Sequence, residues 1–368
     1  MTLLFALFLV AHGLIHLIGF AKAFGFAQLP QLTQPVSQTF GVLWLAATLL
    51  FLASAWALFA WPRGWWVIGT CAIIVSMVAI AHSWSDARYG ALADAVALIG
   101  VVVGFLASGP GSLRAEYEHD VDRALSRATA QQPVTEADLE HLPEPVRRYV
   151  RASGAVGYPR VHNFRVRMHG RFRGSRDARW FPIRAEQHNF VDEPARFFFL
   201  RGAMFGIPAV AYHRYVGPSA TMTVRAAALV PVARSSGREM DEGETVTMLN
   251  DMCMMAPATL ISPSIDWVAV DSRTARATFT NAGHSVSAEL TFNERDEMTD
   301  FVSDDRYQTS PDGRTATKLR WSTPIEGYRA FGPFRLASGG QARWHDAAGD
   351  WAYIDLTIDE VEYNVPSR

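Results

Sequence analysis

"GVLWLAATLLFLASAWALFAWPRGWWVIGTCAIIVSMVAIAHS", residues 41–83, contains one formally charged residue, Arg63. A helix needs about 20 apolar residues to cross the hydrocarbon core of a bilayer. Two runs of that length, 41–61 and 65–83, are separated here only by the turn "WPRG", with Pro62 and Gly64 as breakers. Similar runs occupy 2–24 and 90–108. Trp44, Trp61, Trp65, Trp66, Trp84 and Tyr89 fall near run ends, where interfacial aromatics belong. The first run lacks a basic leader and a small-x-small cleavage site, so it reads as a span and not as a cleaved signal. Residues 1–109 are therefore expected to form a four-helix transmembrane domain.

Charge divides the chain at the same place. Of 34 Lys and Arg and 36 Asp and Glu, only Lys22, Arg63, Asp86, Arg88 and Asp94 lie within 1–111. The remainder is ordinarily charged and reads as a water-soluble domain, and 368 residues accommodate both. The net charge of −2 and the lack of a basic patch exclude a nucleic-acid partner. Cys71 lies in an apolar run and Cys253 in the charged part, so no disulfide framework is expected. Flanking charges give opposed signals on orientation. Arg63, Arg114 and Arg123 outnumber Lys22 and Arg88, but the first run is followed, not preceded, by its basic residue.

Within the first run, "AHGLIHLIGFAK" (11–22) places His12 and His16 four apart, on one helical face. Intramembrane ionisable groups are costly and are candidates for function. The pair can pack neighbouring helices by hydrogen bonds, relay protons, or bind a metal or haem. Lys22, His82, Asp86 and Arg88 belong to one membrane side and are expected to form a polar cluster, with His12 and His16 deeper.

Residues 110–157 read as a helical connector. Thr135 with Asp138 three residues on fits a helix N-terminal cap, and "PEPVRRYVRASG" reads as a short amphipathic helix ended by Gly154. From 158 to 368 the pattern turns to period two, in "VHNFRVRMHGRF", "TARATFT", "SVSAELTF" and "AYIDLTIDEVEY", with turns at "DSR", "NAGH", "NERDE" and "SPDG". About ten or eleven strands are expected. One helix, about 239–255, interrupts them. It is rich in methionine (Met240, Met248, Met252, Met254, Met255), which suits either core filling or an adaptable apolar surface. The expected fold is α+β: a four-helix transmembrane bundle, then a curved, half-barrel-like antiparallel sheet with one inserted helix.

Five stretches, "HGLIHLIGFAKAFGFAQLPQLTQPVSQTFGVLWL", "WSDARYG", "MLNDMCMMAPATLI", "ATFTNAGHSVSAELTFN" and "FVSDDRYQ", resemble a family of uncharacterised bacterial membrane proteins, the DUF6544 type. The soluble half also looks like a lipoprotein-carrier β-fold of the LolA/LppX type. The resemblance supplies no reaction.

No G-x-S-x-G, P-loop, G-x-G-x-x-G or H-E-x-x-H motif is present. His162, His169, His188, His213, His284 and His345 lie scattered on separate predicted strands. Asn250, Asp251 and Cys253 are polar positions on the Met-rich helix and are candidate ligand-binding residues. Asp304 and Arg306 are a second candidate pair, placed by alternation on one strand face, with Asp305 on the other. The resulting expectation is a multi-pass protein of the bacterial inner (plasma) membrane whose β domain binds or transfers a lipid-like hydrophobic ligand. Its partners are membrane lipid and a hydrophobic small molecule, with no cofactor and no metal. The alternatives are a membrane-associated enzyme, using His12 and His16 or Asp251, Asp304 and Arg306, and a sensor module.

Overall fold

The computed structural model describes residues 2–27, 33–125, 132–204, 206–310 and 315–367. Most of the expected "SPDG" turn, the middle of the connector (126–131) and part of the first family-like stretch lie outside them. The chain forms two compact units, Met1–Ala115 and Glu116–Arg368.

The first unit contains α1 (Thr2–Ile15), α2 (Leu17–Ala23), α3 (Gln38–Ala60), α4 (Trp65–His82), the short α5 (Trp84–Ala87) and α6 (Gly90–Ser108); α7 (Leu113–Leu125) follows. Thr2–Ala23, Gln38–Ala60, Trp65–His82 and the helical stretch from Gly90 are each long and apolar enough to cross a membrane. The exterior is apolar, with Leu4, Trp56, Ile74, Leu92 and Ile99 exposed, while His12, His16, Ser54, Ser76 and Asp94 are buried. This inversion of the water-soluble pattern suits a lipid solvent. Small residues permit close packing between helices. A Cβ on Gly19 would sit 2.4 Å from the Trp44 ring, and one on Gly13 would sit 2.9 Å from Phe51.

His16 explains why the first span is broken in two. Its backbone N–H bonds to the Gly13 carbonyl, and its ring Nδ1 donates to the His12 carbonyl at 2.9 Å. A side chain inserted into the helical ladder is a recognised cause of a kink.

The second unit is built on a 14-stranded antiparallel sheet. Its strands are β1 (Asn163–Phe172), β2 (Phe181–Phe190), β3 (Ala195–Met204), β4 (Ile207–Val216), β5 (Ser219–Ala226), β6 (Val230–Ser236), β7 (Ile265–Ala269), β8 (Thr274–Asn281), β9 (His284–Phe292), β10 (Met298–Thr309), β11 (Ala316–Ser322), β12 (Ile325–Phe331), β13 (Phe334–Asp346) and β14 (Gly349–Tyr363). The order is β6-β5-β4-β3-β2-β1-β14-β13-β11-β10-β9-β8-β7, with β12 paired to β13. First and last strands are thus neighbours at the centre, and two meanders run outward from them.

Helix α8 (Glu144–Ala152) precedes the sheet and α9 (Arg238–Met255) interrupts it. Thr135 N–H and O–H both donate to Asp138, ahead of a 3₁₀ turn at Ala137–Leu139. Gly237, at φ +101°, supplies the left-handed turn from β6 into α9. Helix α9 returns the chain from the β6 edge to the β7 edge and packs on β5 and β6 of one arm and on β8, β9 and β10 of the other. The sheet curls around it as a half-barrel, and every residue from Gly243 to Met255 is buried. The strand count exceeds the sequence expectation because β6 and β7 are edge strands, and edges exposed on both faces carry little period-two signal.

Gly170 marks the tightest strand contact. A Cβ there would lie 1.9 Å from the Asp355 carbonyl oxygen across the central β1–β14 pair, whereas one on Gly174 meets open space. Gly170→Ala is expected to destabilise the β unit by about 1–3 kcal/mol. Gly174→Ala is expected to stay within about 0.5 kcal/mol of the native protein in thermal unfolding.

Candidate functional site

Strand alternation brings Gln187 and Asn189 of β2, Arg196, Phe198 and Leu200 of β3, and His213 and Tyr215 of β4 onto one face. The register pairs Asn189 with Arg196, Arg196 with Tyr215, and Phe198 with His213. That face meets α9, where Glu244, Met248, Asp251 and Met255 recur at helical spacing. Between them lies a cavity of about 170 Å³. Its walls include Met168 and Phe172 of β1, Phe198 and Leu200 of β3, and Ile354 and Leu356 of β14. Its base is polar, with Gln187, Arg196, His213, Glu244, Asn250, Asp251, Arg306 and Thr323.

The base is organised by Arg196, which is buried. Its Nε donates to Asp251 Oδ2 at 2.6 Å, its Nη1 to Glu244 Oε2 at 3.0 Å and its Nη2 to Gln187 Oε1 at 3.1 Å. Gln187 and Asn189 amides also donate to Asp251, at 2.7 and 3.1 Å. A buried charge needs both a counter-charge and filled hydrogen-bond positions, and this network provides them.

The two carboxylates differ. Burial opposes ionisation of Glu244, but Arg196, His213 and Arg306 outweigh it and hold its carboxyl well below the usual range. Burial dominates at Asp251, whose carboxyl is raised even though Arg196 and the Asn189 amide oppose the rise. Two polar atoms at the base are buried without a hydrogen-bond partner among the described residues: Arg306 Nε and His213 Nδ1. Arg306 Nη1 donates to the Gly243 carbonyl at 2.8 Å, and both Arg306 and His213 stand 3.6 Å from Glu244 Oε1. An unfilled buried donor costs about 1–3 kcal/mol, which an acceptor in the cavity relieves.

The sequence candidates are distributed unevenly around this site. Asp251, Asn250 and Arg306 line the cavity, and Asn250 Oδ1 accepts from Thr323 at 2.6 Å. Cys253 is buried elsewhere in the core; burial pushes its thiol up, and its carbonyl accepts from Tyr149. Asp304 and Arg306 do not share a face. The β10–β11 register shifts between Ser303 and Arg306, so Asp304 stays exposed and pairs with Arg320 at 2.8 Å while Arg306 turns to α9. The bulge adds a residue that simple alternation cannot register. The scattered histidines do not converge: His188 contacts Tyr117, and His162, His169 and His345 each pair with an aspartate. Arg196, Glu244, Gln187 and Asn189 were not among the sequence candidates. For Arg196 the signal is a polar residue at an inward strand position beside phenylalanines, in "ARFFFL".

In the first unit the expected polar cluster is two groups. His12 Nε2 lies 2.9 Å from Asp94 Oδ1, and Ser76 Oγ bridges Asp94 Oδ2 and His16 Nε2 at 2.7 and 2.8 Å. Separately, Lys22 Nζ donates to the Gln34 carbonyl, while Asp86 accepts from Thr33 O–H and Gln34 N–H. His82 stacks on Phe40, and Arg88 lies beside Tyr89. Among the described residues no group of three or more His, Cys, Asp or Glu is placed to hold a metal ion.

Arg196→Met leaves two buried carboxylates without their cation and is expected to cost about 3–5 kcal/mol. Adding Glu244→Gln and Asp251→Asn recovers most of that loss in thermal unfolding. The stability supplied by Glu244, whose carboxyl is depressed, is complete above about pH 5 and fades as pH falls through its folded value. The melting-temperature gap between wild type and Glu244→Gln should therefore narrow on acidification. Asp251, being raised, contributes in the opposite sense, favouring the fold at low pH and losing that contribution as pH rises.

Comparison with known proteins adds the following. Among solved structures, the chain is similar to a DUF1329 family protein from Desulfovibrio piger ATCC 29098, at 10% identity over 64% of this chain and 95% of that one, with a TM-score of 0.36. It is also similar to a LolA superfamily protein from Nitrosomonas europaea, at 11% identity over 59% of this chain and 93% of that one, with a TM-score of 0.32. No curated protein matches the sequence. The model of a family of unknown function, DUF6544, matches residues 132–356, and the chain belongs to that family.

Proposed function

We infer that the β domain binds a lipid-like amphiphile, tethered by the four apolar helices to the bacterial inner membrane. The observation that carries this reading is the cavity's division of labour. Its walls are apolar, with Phe172, Leu200, Ile354 and Leu356 only half-buried, while its base holds a buried donor at Arg306 Nε and a buried imidazole nitrogen at His213 Nδ1, neither hydrogen-bonded among the described residues. A ligand that lays an alkyl chain along the walls and sets an acceptor group at the base satisfies both. Ligand sites commonly combine an apolar lining with a few placed polar groups. The volume of about 170 Å³ suits part of one acyl chain and not a whole diacyl lipid. Roughly 150 Å³ already accommodates a benzene-sized molecule.

Helix α9 serves this role as the floor of the cavity. Met254 and Met255 bring flexible thioethers to the lining, and such side chains adapt to ligands of different shape. The ion network of Arg196 fixes the helix beneath the walls. Transfer between membranes follows if the ligand exchanges, and a carrier needs no catalytic group.

The test is native mass spectrometry of the detergent-purified full-length protein, followed by titration with a fluorescent fatty-acid analogue. One bound amphiphile per chain is expected. Leu200→Trp fills the cavity and should weaken probe binding about tenfold or more, roughly 1.4 kcal/mol. Identical binding by wild type and Leu200→Trp removes the cavity as the site.

A further inference from the structure

The buried group on the membrane helices can be counted proton by proton. His16 Nδ1 meets the His12 carbonyl oxygen at 2.9 Å. A carbonyl only accepts, so Nδ1 bears hydrogen. Ser76 Oγ has two contacts, with Asp94 Oδ2 at 2.7 Å and His16 Nε2 at 2.8 Å, and one hydrogen to serve them. If Ser76 donates to Asp94, then His16 Nε2 must donate to Ser76, and the ring is an imidazolium. If Ser76 donates to His16, the Asp94 oxygen must carry the hydrogen, and the carboxyl is neutral. Either way the Asp94–His16 pair holds one proton beyond its fully deprotonated state.

The two forms interconvert without net charge movement out of the cluster. Starting from the imidazolium, the Nε2–H bond of His16 breaks as an O–H bond forms on Ser76. The original Ser76 O–H breaks as an O–H forms on Asp94. Losing the proton from this pair leaves Ser76 one hydrogen for two buried contacts, so one of them sets lone pair against lone pair, which is costly. His12, Ser76 and Asp94 are all buried.

A chamber of about 380 Å³ adjoins this group and is lined by His12, His16, Trp44, Ser83, Asp86 and Tyr89 among others. Trp44 Nε1 and Ser83 Oγ are buried there without a hydrogen-bond partner among the described residues. Buried polar atoms are normally satisfied, so these two equip the chamber for polar occupants such as water. Asp86 sits on the segment joining two spans, and Tyr89 is exposed.

We propose that the membrane domain is a proton-binding site: Asp94 and His16, joined through Ser76, hold one exchangeable proton, and the chamber lined by Trp44 and Ser83 is its exchange route. On the helices packed around the site, the titratable groups facing it are His12 and His16 of α1 and its end, and Asp94 of α6. Asp86 and Tyr89 face the chamber. Lys22 is engaged with Gln34, and His82 stacks on Phe40.

The test uses the full-length protein in detergent with ring-¹⁵N-labelled histidine, His16→Gln assigning the His16 signals. The carboxylic-acid infrared band is assigned by its loss in Asp94→Asn. Near neutral pH the wild type should show a doubly protonated His16, a protonated Asp94, or a mixture summing to one proton. Ser76→Ala should uncouple the two, so that each titrates separately; it also serves as the comparison if Asp94→Asn does not fold. A neutral His16 together with an ionised Asp94 in the wild type overturns the proposal. Transfer to D₂O should shift the proton's signals, severalfold more slowly in Ala87→Trp, which fills the chamber. An equal rate in both overturns the chamber as the route.

Discussion

Two carboxylates on a helix that water does not reach must find positive charge, and Arg196 is where they find it. It contacts Glu244 and Asp251 at 3.0 and 2.6 Å, two turns apart on one face of α9, and so fixes both the rotation and the height of the helix against β2, β3 and β4. The Gln187 and Asn189 amides converge with Arg196 Nε on the same oxygen, Asp251 Oδ2. Buried ion pairs are a weak source of net stability, because desolvation cancels much of the attraction. Their effect here is positional. With α9 fixed, Arg306 Nε and His213 Nδ1 are left at the base of a cavity without hydrogen-bond partners among the described residues.

The helical unit obeys the same requirement. Asp94 is enclosed by His12 and Ser76. In the β unit a permanent cation compensates the buried acid. In the helical unit the contact is a histidine, and histidine can give its proton up. The first arrangement is static and suits a binding floor. The second is exchangeable and suits a site that changes state.

The coarse architecture was legible because its causes are periodic. Near-absence of charge over 20-residue runs marked the spans, and alternation marked the central strands. The "NERDE" and "NAGH" turns fall between β9 and β10 and between β8 and β9. The sites were less legible, because they depend on long-range registry. Asp251 stood out as a polar residue in a Met-rich helix, yet its partner Arg196 is 55 residues away, and the pairing follows from how β3 meets α9. The Asp304–Arg306 face failed at a bulge, which no local pattern announced. His12 and His16 were visible as a pair, but the residue joining them to Asp94 is Ser76, an unremarkable serine in another span.

Topology also determines how the cavity can open. The sheet ends at β6 and β7, and among the described residues no ladder joins them. The two arms meet instead through a few side-chain bonds: Asn281 to the Tyr215 hydroxyl at 2.6 Å and to the Gly217 carbonyl at 3.0 Å, and His284 to the Pro218 carbonyl at 3.1 Å. Separating the arms breaks these bonds and leaves the strand ladders whole. Each such bond contributes about 0.5–1.5 kcal/mol net, far less than a ladder of backbone bonds. Tyr215 also contacts Thr245 on α9 at 2.9 Å, so the seam and the cavity floor share a residue. A half-barrel closed by side chains in this way can widen around a ligand at small cost, while the Arg196 network keeps its floor in place.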